Sequence, residues 1–313
     1  MESLVMRFNL KKVAALGLAL GLSVGAVAAW AQTAGTSTLV RFSTAAGPID
    51  IELYDEAAPK TVANFLNYVR TGAYDGGFFH RLVRGFVMQG GGLRWSDTAT
   101  TKISVIPTNA PVVNEFSATR SNLRGTVAMA KVDGNPDSAT HQWFVNLADN
   151  AANLDTQNGG FTVFGRITAP SMAVVDRLAN NYRVVNASAC TPLGAAVSVM
   201  SQTPMWTTPA NCESVTASHL MQFTARELLR TNAASATERV FNYLEAAYPS
   251  LIYPPTQATQ TGGGFSYRYY PATQTYVGVK DDQLYALALS NSTSPLALGS
   301  LSQWLTTAQS QGY

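Results

Sequence analysis

Alternation opens the readable part of the chain. Ile49, Ile51 and Leu53 alternate with Asp50, Glu52 and Tyr54, the period of a strand with one face in a core. Leu39–Ser43 precedes it across Ala45-Ala46-Gly47-Pro48, which predicts two strands around a turn. The period then changes. Behind Pro59, the apolar residues Val62, Phe65, Leu66 and Val69 fall at i, i+3, i+4 and i+7, and Gly72 stands where a C-terminal cap belongs. That pattern predicts a helix. Short apolar strands follow around Gly85–Gln89, Thr126–Ala130, Gln142–Asn146 and Thr162–Ile167, separated by Gly-rich turns. A second helix starts at Ser171, with Met172, Val175, Leu178 and Ala179 on one face. Many short strands with few helices predict a mainly β fold, a barrel or a sandwich. Residues 93–113 fit no regular element.

The pattern shifts after Asn186. A Thr/Pro/Ser-rich connector, residues 189–219, holds both cysteines, Cys190 and Cys212. From Leu220 the character changes again: residues 220–313 carry nine of the thirteen tyrosines, and their charges cancel at five of each sign. Thr224-x-x-Glu227 and Ser235-x-x-Glu238 both have capping-box spacing. The second opens a helix with Val240, Phe241, Leu244 and Tyr248 inward, stopped by Pro249. Three strands are predicted beyond it, Phe265–Tyr270, Thr275–Val279 and Leu284–Leu289, with turns at Pro271–Gln274 and Lys280–Gln283. Together these describe a small α+β C-terminal domain. Its tyrosines either fill that core or offer a recognition surface, since Tyr gives large contact area at low entropic cost.

The N-terminus reads as an address. Arg7, Lys11 and Lys12 precede an uncharged apolar run, Val13–Ala29, closed by Ala29-Trp30-Ala31. This is the layout of a signal peptide over residues 1–31, cut before Gln32, with a retained anchor as the other reading. The expected product is periplasmic or secreted, with no stable membrane insertion after cleavage. Residues 32–38 look like a frayed leader. In an oxidising compartment Cys190 and Cys212 are expected to pair, closing a loop of 23 residues, worth roughly 3 kcal/mol in the chain-entropy model; two free buried thiols are the alternative.

Charge then narrows the function. The chain has 21 basic and 19 acidic residues, but without the leader eighteen of each sign remain. A neutral chain lacks the basic field that attracts phosphate backbones, so no nucleic-acid partner is expected. Two cysteines and three scattered histidines offer no metal-ligand spacing, so neither a metal nor another cofactor is expected. No G-x-S-x-G elbow or phosphate-binding loop occurs.

The informative stretch is Phe78-Phe79-His80-Arg81-Leu82-Val83-Arg84-Gly85-Phe86-Val87-Met88-Gln89-Gly90-Gly91-Gly92. Arg81, Phe86 and Gln89 could project polar and apolar groups to one side of a Gly-flanked strand. The run F-H-R-x-x-x-G-F-x-x-Q-G-G resembles the central signature of the cyclophilins, the peptidyl-prolyl cis–trans isomerases. The resemblance continues through Arg124–Ala130, Asp137–Asn146, Leu154-Asp155 and Val163–Arg166, and it covers about residues 39–185 in order. It implies an eight-stranded antiparallel β-barrel capped by two helices, occupying residues 32–188, and bacterial periplasmic relatives. Position by position, Arg81 matches the catalytic arginine. Phe86, Phe144 and Leu154 match walls of a proline pocket, and Gln89 and Ala130 match positions that hold the peptide backbone. Val87 stands where many members carry methionine, which leaves that wall apolar. Two positions depart from the family. Asn153 replaces a tryptophan or phenylalanine, and Phe161 replaces a histidine or tyrosine, so weak cyclosporin binding is expected. The implied activity is rotation about X–Pro bonds in proline-containing, unfolded or partly folded exported proteins. A non-catalytic peptide-binding or holdase module is the alternative. His80, His141, Trp143 and Met129 are expected to be structural.

Overall fold

The computed structural model describes residues 37–228, 235–248, 250–251, 258–290 and 294–313. The leader expected over residues 1–31, the stop at Pro249 and most of the stretch at 32–38 lie outside these. The chain divides into two compact units, residues 36–230 and, for the described part of the other, residues 235–313. No helix among the described residues is long and apolar enough to cross a membrane.

The first unit is mainly β. Its strands are β1 (Leu39–Thr44), β2 (Gly47–Leu53), β3 (Gly77–Phe78), β4 (Arg81–Val83), β5 (Val87–Gly90), β6 (Leu93–Trp95), β7 (Ile103–Val105), β8 (Thr126–Met129), β9 (Trp143–Asn146), β10 (Val163–Ile167), β11 (Arg183–Val185), β12 (Thr203–Met205) and β13 (Gln222–Glu227). Its helices are α1 (Pro59–Arg70), the single turn α2 (Ala151–Leu154) and α3 (Ala169–Asn181). Eleven of the strands form one curled antiparallel sheet in the order β4-β5-β9-β8-β10-β2-β1-β13-β3-β6-β7, where the resemblance implies eight. β11 and β12 pair separately.

Three local differences have physical causes. Asp50 alternates outward by pattern, yet it is buried. Arg41, its cross-strand partner, donates to both carboxylate oxygens at 2.7 Å. Ser171 of α3 accepts from the Asp50 amide at 2.8 Å, so the second face of β2 is covered as well. The N-terminus of α1 lacks a cap from Ala58. Glu115 supplies it from 54 residues away, accepting from the amides of Lys60 and Thr61 at 3.1 and 2.7 Å. A carboxylate suits the positive end of a helix. At the chain start, Thr38 is buried rather than frayed, and its amide and hydroxyl both donate to Asp55.

The largest difference concerns residues 220–228. Thr224 and Glu227 are spaced as a capping box, but they lie in β13, which pairs with β1 over Thr44↔Phe223 to Val40↔Glu227. Capping-box spacing is only a local signal, and here a ladder with a distant strand outcompetes it. Phe223 enters the main core with Phe42, Phe65, Tyr74 and Trp143, 5.1 Å from Phe42 ring to ring. A Cβ on Gly77 would stand 2.6 Å from the Phe223 ring, so glycine there makes room for it. The connector likewise belongs to the first unit, and Cys190 and Cys212 are joined in a disulfide. Residues 93–113, unassigned by pattern, contain β6 and β7, which pair with each other.

The second unit holds a five-stranded antiparallel sheet in sequential order. Its strands are β14 (Gln260–Gly262), β15 (Phe265–Tyr270), β16 (Thr275–Lys280), β17 (Gln283–Ala288) and β18 (Leu296–Ser300). Two helices join it, α4 (Ala236–Ala247) and α5 (Leu301–Ser310). Ser235 caps α4 by accepting from the Glu238 amide, as its spacing predicts.

Candidate active site

The site is built on three neighbouring strands. Arg81 of β4 lies opposite Gln89 of β5, and Gln89 lies opposite Phe144 of β9. Residues directly opposite across a ladder share a face, so the three form one row across the sheet. Around that row is a cavity of about 160 Å³ lined by Arg81, Phe86, Val87, Gln89, Ala130, Lys131, Phe144, Leu154 and Phe161. An apolar cavity of about 150 Å³ takes up a benzene ring, so the space suits one small ring. All eight site residues read from the sequence line it. Lys131 was not among them. Asn153, one of the two departures, is exposed and outside the lining.

Apolar groups form most of the wall. Val87, Ala128, Phe144, Leu154 and Val163 make a small buried cluster of their own, with Phe86, Ala130 and Phe161 packed against it. Phe161 meets Phe144 edge-on at 5.9 Å. The polar groups sit at defined places. Arg81 is half-buried, and burial pushes its pKa down from the ordinary arginine value, though a guanidinium stays protonated in proteins. Among the described residues it makes no hydrogen bond or ion pair, so its donors are uncommitted. Gln89 donates through Nε2 to Oε1 of Gln142 at 2.7 Å, which orients its amide and leaves the carbonyl oxygen available. Lys131 donates to the carbonyls of Asn158 and Gly160, both at 2.7 Å, and stands 4.7 Å from the Phe161 ring centroid. Burial lowers its pKa. Among the described residues, no carboxylate lines the cavity.

Behind the row, His80 is buried with Nδ1 unpartnered. Burial, then the nearby His141 and Arg81 charges, push its pKa down to about 4. It is neutral at ordinary pH and adds no second charge beside Arg81.

Sequence reasoning also missed what holds the loops that carry the wall. Asn150 donates to the Phe86 carbonyl at 2.9 Å and to Asn146 at 2.8 Å. Asn146 donates to Asn122 at 3.1 Å, and Asn122 donates to the Phe161 carbonyl at 3.0 Å. This buried amide network ties Phe86 to Phe161 through three asparagines. Asn146 closes one recognised motif, but Asn122 and Asn150 carry no local signal.

The model of the cyclophilin type peptidyl-prolyl cis-trans isomerase/CLD family matches residues 39–199. A peptidyl-prolyl cis-trans isomerase of Acinetobacter baylyi is 43% identical over 145 residues, covering 46% of this chain and 73% of that protein. Peptidyl-prolyl cis-trans isomerase A of Dickeya dadantii is 43% identical over 150 residues, covering 47% and 74%. Peptidyl-prolyl cis-trans isomerase B of Escherichia coli is 38% identical over 144 residues, covering 45% and 83%.

Proposed function

Because the chain belongs to the cyclophilin-type peptidyl-prolyl cis–trans isomerase family, we propose that Arg81 is the group with which it turns X–Pro bonds, and that its substrates are exported proteins. The observation that carries the role of Arg81 is an uncommitted guanidinium beside a ring-sized apolar cavity, in register with Gln89 and Phe144.

The chemistry follows from the peptide bond. Resonance sets a barrier of about 18–20 kcal/mol for rotation. At a right angle the resonance is lost, and the prolyl nitrogen becomes pyramidal and basic. Phe86, Phe144 and Leu154 hold the ring while the other side of the bond turns. Gln89 and Ala130 hold the neighbouring backbone. Arg81 then donates to the prolyl nitrogen or the adjacent carbonyl and stabilises the twisted state more than either planar one. That difference is catalysis without a covalent intermediate. The apolar wall excludes water, which strengthens the bond Arg81 makes. A lysine would serve less well, because its mobile ammonium does not hold donors in a fixed fork.

Within this reading the curled sheet is the family's eight-stranded barrel, enlarged by short added strands, and the described part of residues 235–313 is a small α+β domain. Export is supported by the leader pattern at Arg7–Ala31 and by the Cys190–Cys212 bond, which suits an oxidising compartment. A mature protein beginning at Gln32 is the expected product, checked by intact mass of the periplasmic or secreted form. No observation favours the non-catalytic alternative: Asn153 lies outside the cavity, and Phe161 extends its apolar wall. The deciding assay follows isomerisation of a proline tetrapeptide by the full chain and by Arg81→Ala. A folded variant with wild-type turnover would remove Arg81 from the mechanism.

A further inference from the structure

Arg81 has no side-chain partner among the described residues, so its position rests on the backbone of β4 and on packing. β4 has three residues and is the last strand at its end of the sheet. β5 pairs with one edge; among the described residues no strand of the sheet lies along the other. A short strand paired on one side only is easily displaced.

That open edge is gripped from the connector. The Leu82 amide donates to the Gln202 carbonyl at 2.7 Å, and the Thr203 hydroxyl donates to the His80 carbonyl at 2.8 Å. These two bonds hold the residues on either side of Arg81. Thr203 is fully buried, and both Gln202 and Thr203 lie beyond the family match, which ends at residue 199. The grip falls inside the loop closed by Cys190 and Cys212, whose Cα atoms are 5.1 Å apart. The loop contributes Leu193, Val197, Met200 and Met205 to a second core. The body of the sheet contributes Phe78 and Trp95 to the same core. It also packs closely on β7: a Cβ on Gly194 would stand 2.5 Å from the Ile103 carbonyl. Most of the loop is short turns rather than long elements, so few backbone bonds fix its shape and the covalent closure matters more.

We propose that the disulfide-closed segment 190–212 is a positioning device for Arg81, with Thr203 as its positioning residue, so that full isomerase activity requires the Cys190–Cys212 bond. This rests on the reading of Arg81 as catalytic. Its consequence is a redox dependence that the cavity residues alone would not give. An added dithiol supplies two electrons and two protons; the bridge becomes two thiols and the dithiol leaves as its own disulfide. The reduced loop holds Gln202 and Thr203 less firmly, and Arg81 shifts. Misplacement of a catalytic group by about 1 Å can cost on the order of a hundredfold in rate.

The test measures kcat and KM of the full chain on a proline tetrapeptide, at a temperature where circular dichroism shows each form folded. Thr203→Val is expected to lower kcat about tenfold or more with KM nearly unchanged, and Thr203→Ser to restore it. Dithiol reduction, or Cys190→Ala with Cys212→Ala, is expected to lower kcat similarly, and adding Thr203→Val to either should change little more. Thr203→Ala removes the hydroxyl without new bulk and serves if the valine variant does not fold. Unchanged kcat in folded Thr203→Val or Thr203→Ala, or full activity after reduction, would overturn the proposal. Wild-type turnover in Arg81→Ala would instead overturn the catalytic assignment. Loss in Arg81→Ala with no effect at Thr203 or the disulfide sinks the positioning role alone.

Discussion

Arg81 in the first unit is half-buried and Arg268 in the second is buried, and the two units treat them in opposite ways. Arg268, 5% exposed, is surrounded. It pairs with Glu238, donates to Glu245 at 2.7 Å, to Thr259 at 3.0 Å and to Asn242 at 3.2 Å, and lies 5.2 Å from the Phe241 ring centroid. Burial alone would lower its pKa, but Glu245 and Glu238 outweigh that and raise it. Among the described residues no carboxylate stands beside Arg81 in the cavity lining, and burial lowers its pKa. A buried charge is costly unless it is paired and hydrogen-bonded. Pairing the donors of Arg268 fixes α4 against β15. Leaving those of Arg81 open beside a cavity reserves them for a ligand.

Removing one partner from each setting should therefore damage different properties. The largest effect on stability belongs to the second unit. Arg268→Leu leaves the carboxylates of Glu238 and Glu245 without this cation and should cost about 3–5 kcal/mol, read as faster native-state hydrogen exchange in α4, with isomerisation unaltered. A similar loss from a variant at Arg124–Asp176, where both groups are near half exposed, would break the contrast, since exposed pairs contribute little.

Next comes pH. His80 titrates at about 4 in the folded protein against an ordinary 6.5, so between those values the unfolded chain binds the extra proton. Stability is then complete above about pH 6.5 and falls as pH drops toward 4, by roughly 3 kcal/mol in all. Urea unfolding followed from pH 7 to 4 checks this, and His80→Gln should flatten the slope. Smaller still is Asn150→Ala, which opens the amide network behind Phe86. It should cost about 1–3 kcal/mol and raise KM more than it lowers kcat. The smallest concerns Lys131. With two cations and no anion lining the cavity, peptides with Glu beside the X–Pro pair should be preferred over those with Lys. The preference should reach about 1 kcal/mol at most, and Lys131→Met should reduce it to what the Arg81 charge alone supplies.

How much of this was legible in the sequence follows from the distance over which each feature is made. The Arg81–Phe86–Gln89 cluster comes from one strand, turn and strand, so its spacing is readable. The meander β15-β16-β17 is readable for the same reason. The asparagine network is not: Asn150 reaches the Phe86 carbonyl across 64 residues. The Thr203 bond to His80 spans 123. β13 is not legible either, because its capping-box spacing is local while its ladder partner is not. Ser300-x-x-Gln303 is by contrast a local signal, a capping box that opens α5.

The most direct test of the contrast is a paired measurement on the full chain: kcat/KM for a proline tetrapeptide alongside urea stability, for Arg81→Ala and for Arg268→Leu. The account predicts that Arg81→Ala loses on the order of a hundredfold or more in kcat/KM with stability within about 0.5 kcal/mol of wild type. It predicts that Arg268→Leu loses stability in the second unit while the first unit keeps its activity. An Arg81→Ala protein that turns over like wild type, or that loses stability as Arg268→Leu does, would contradict it.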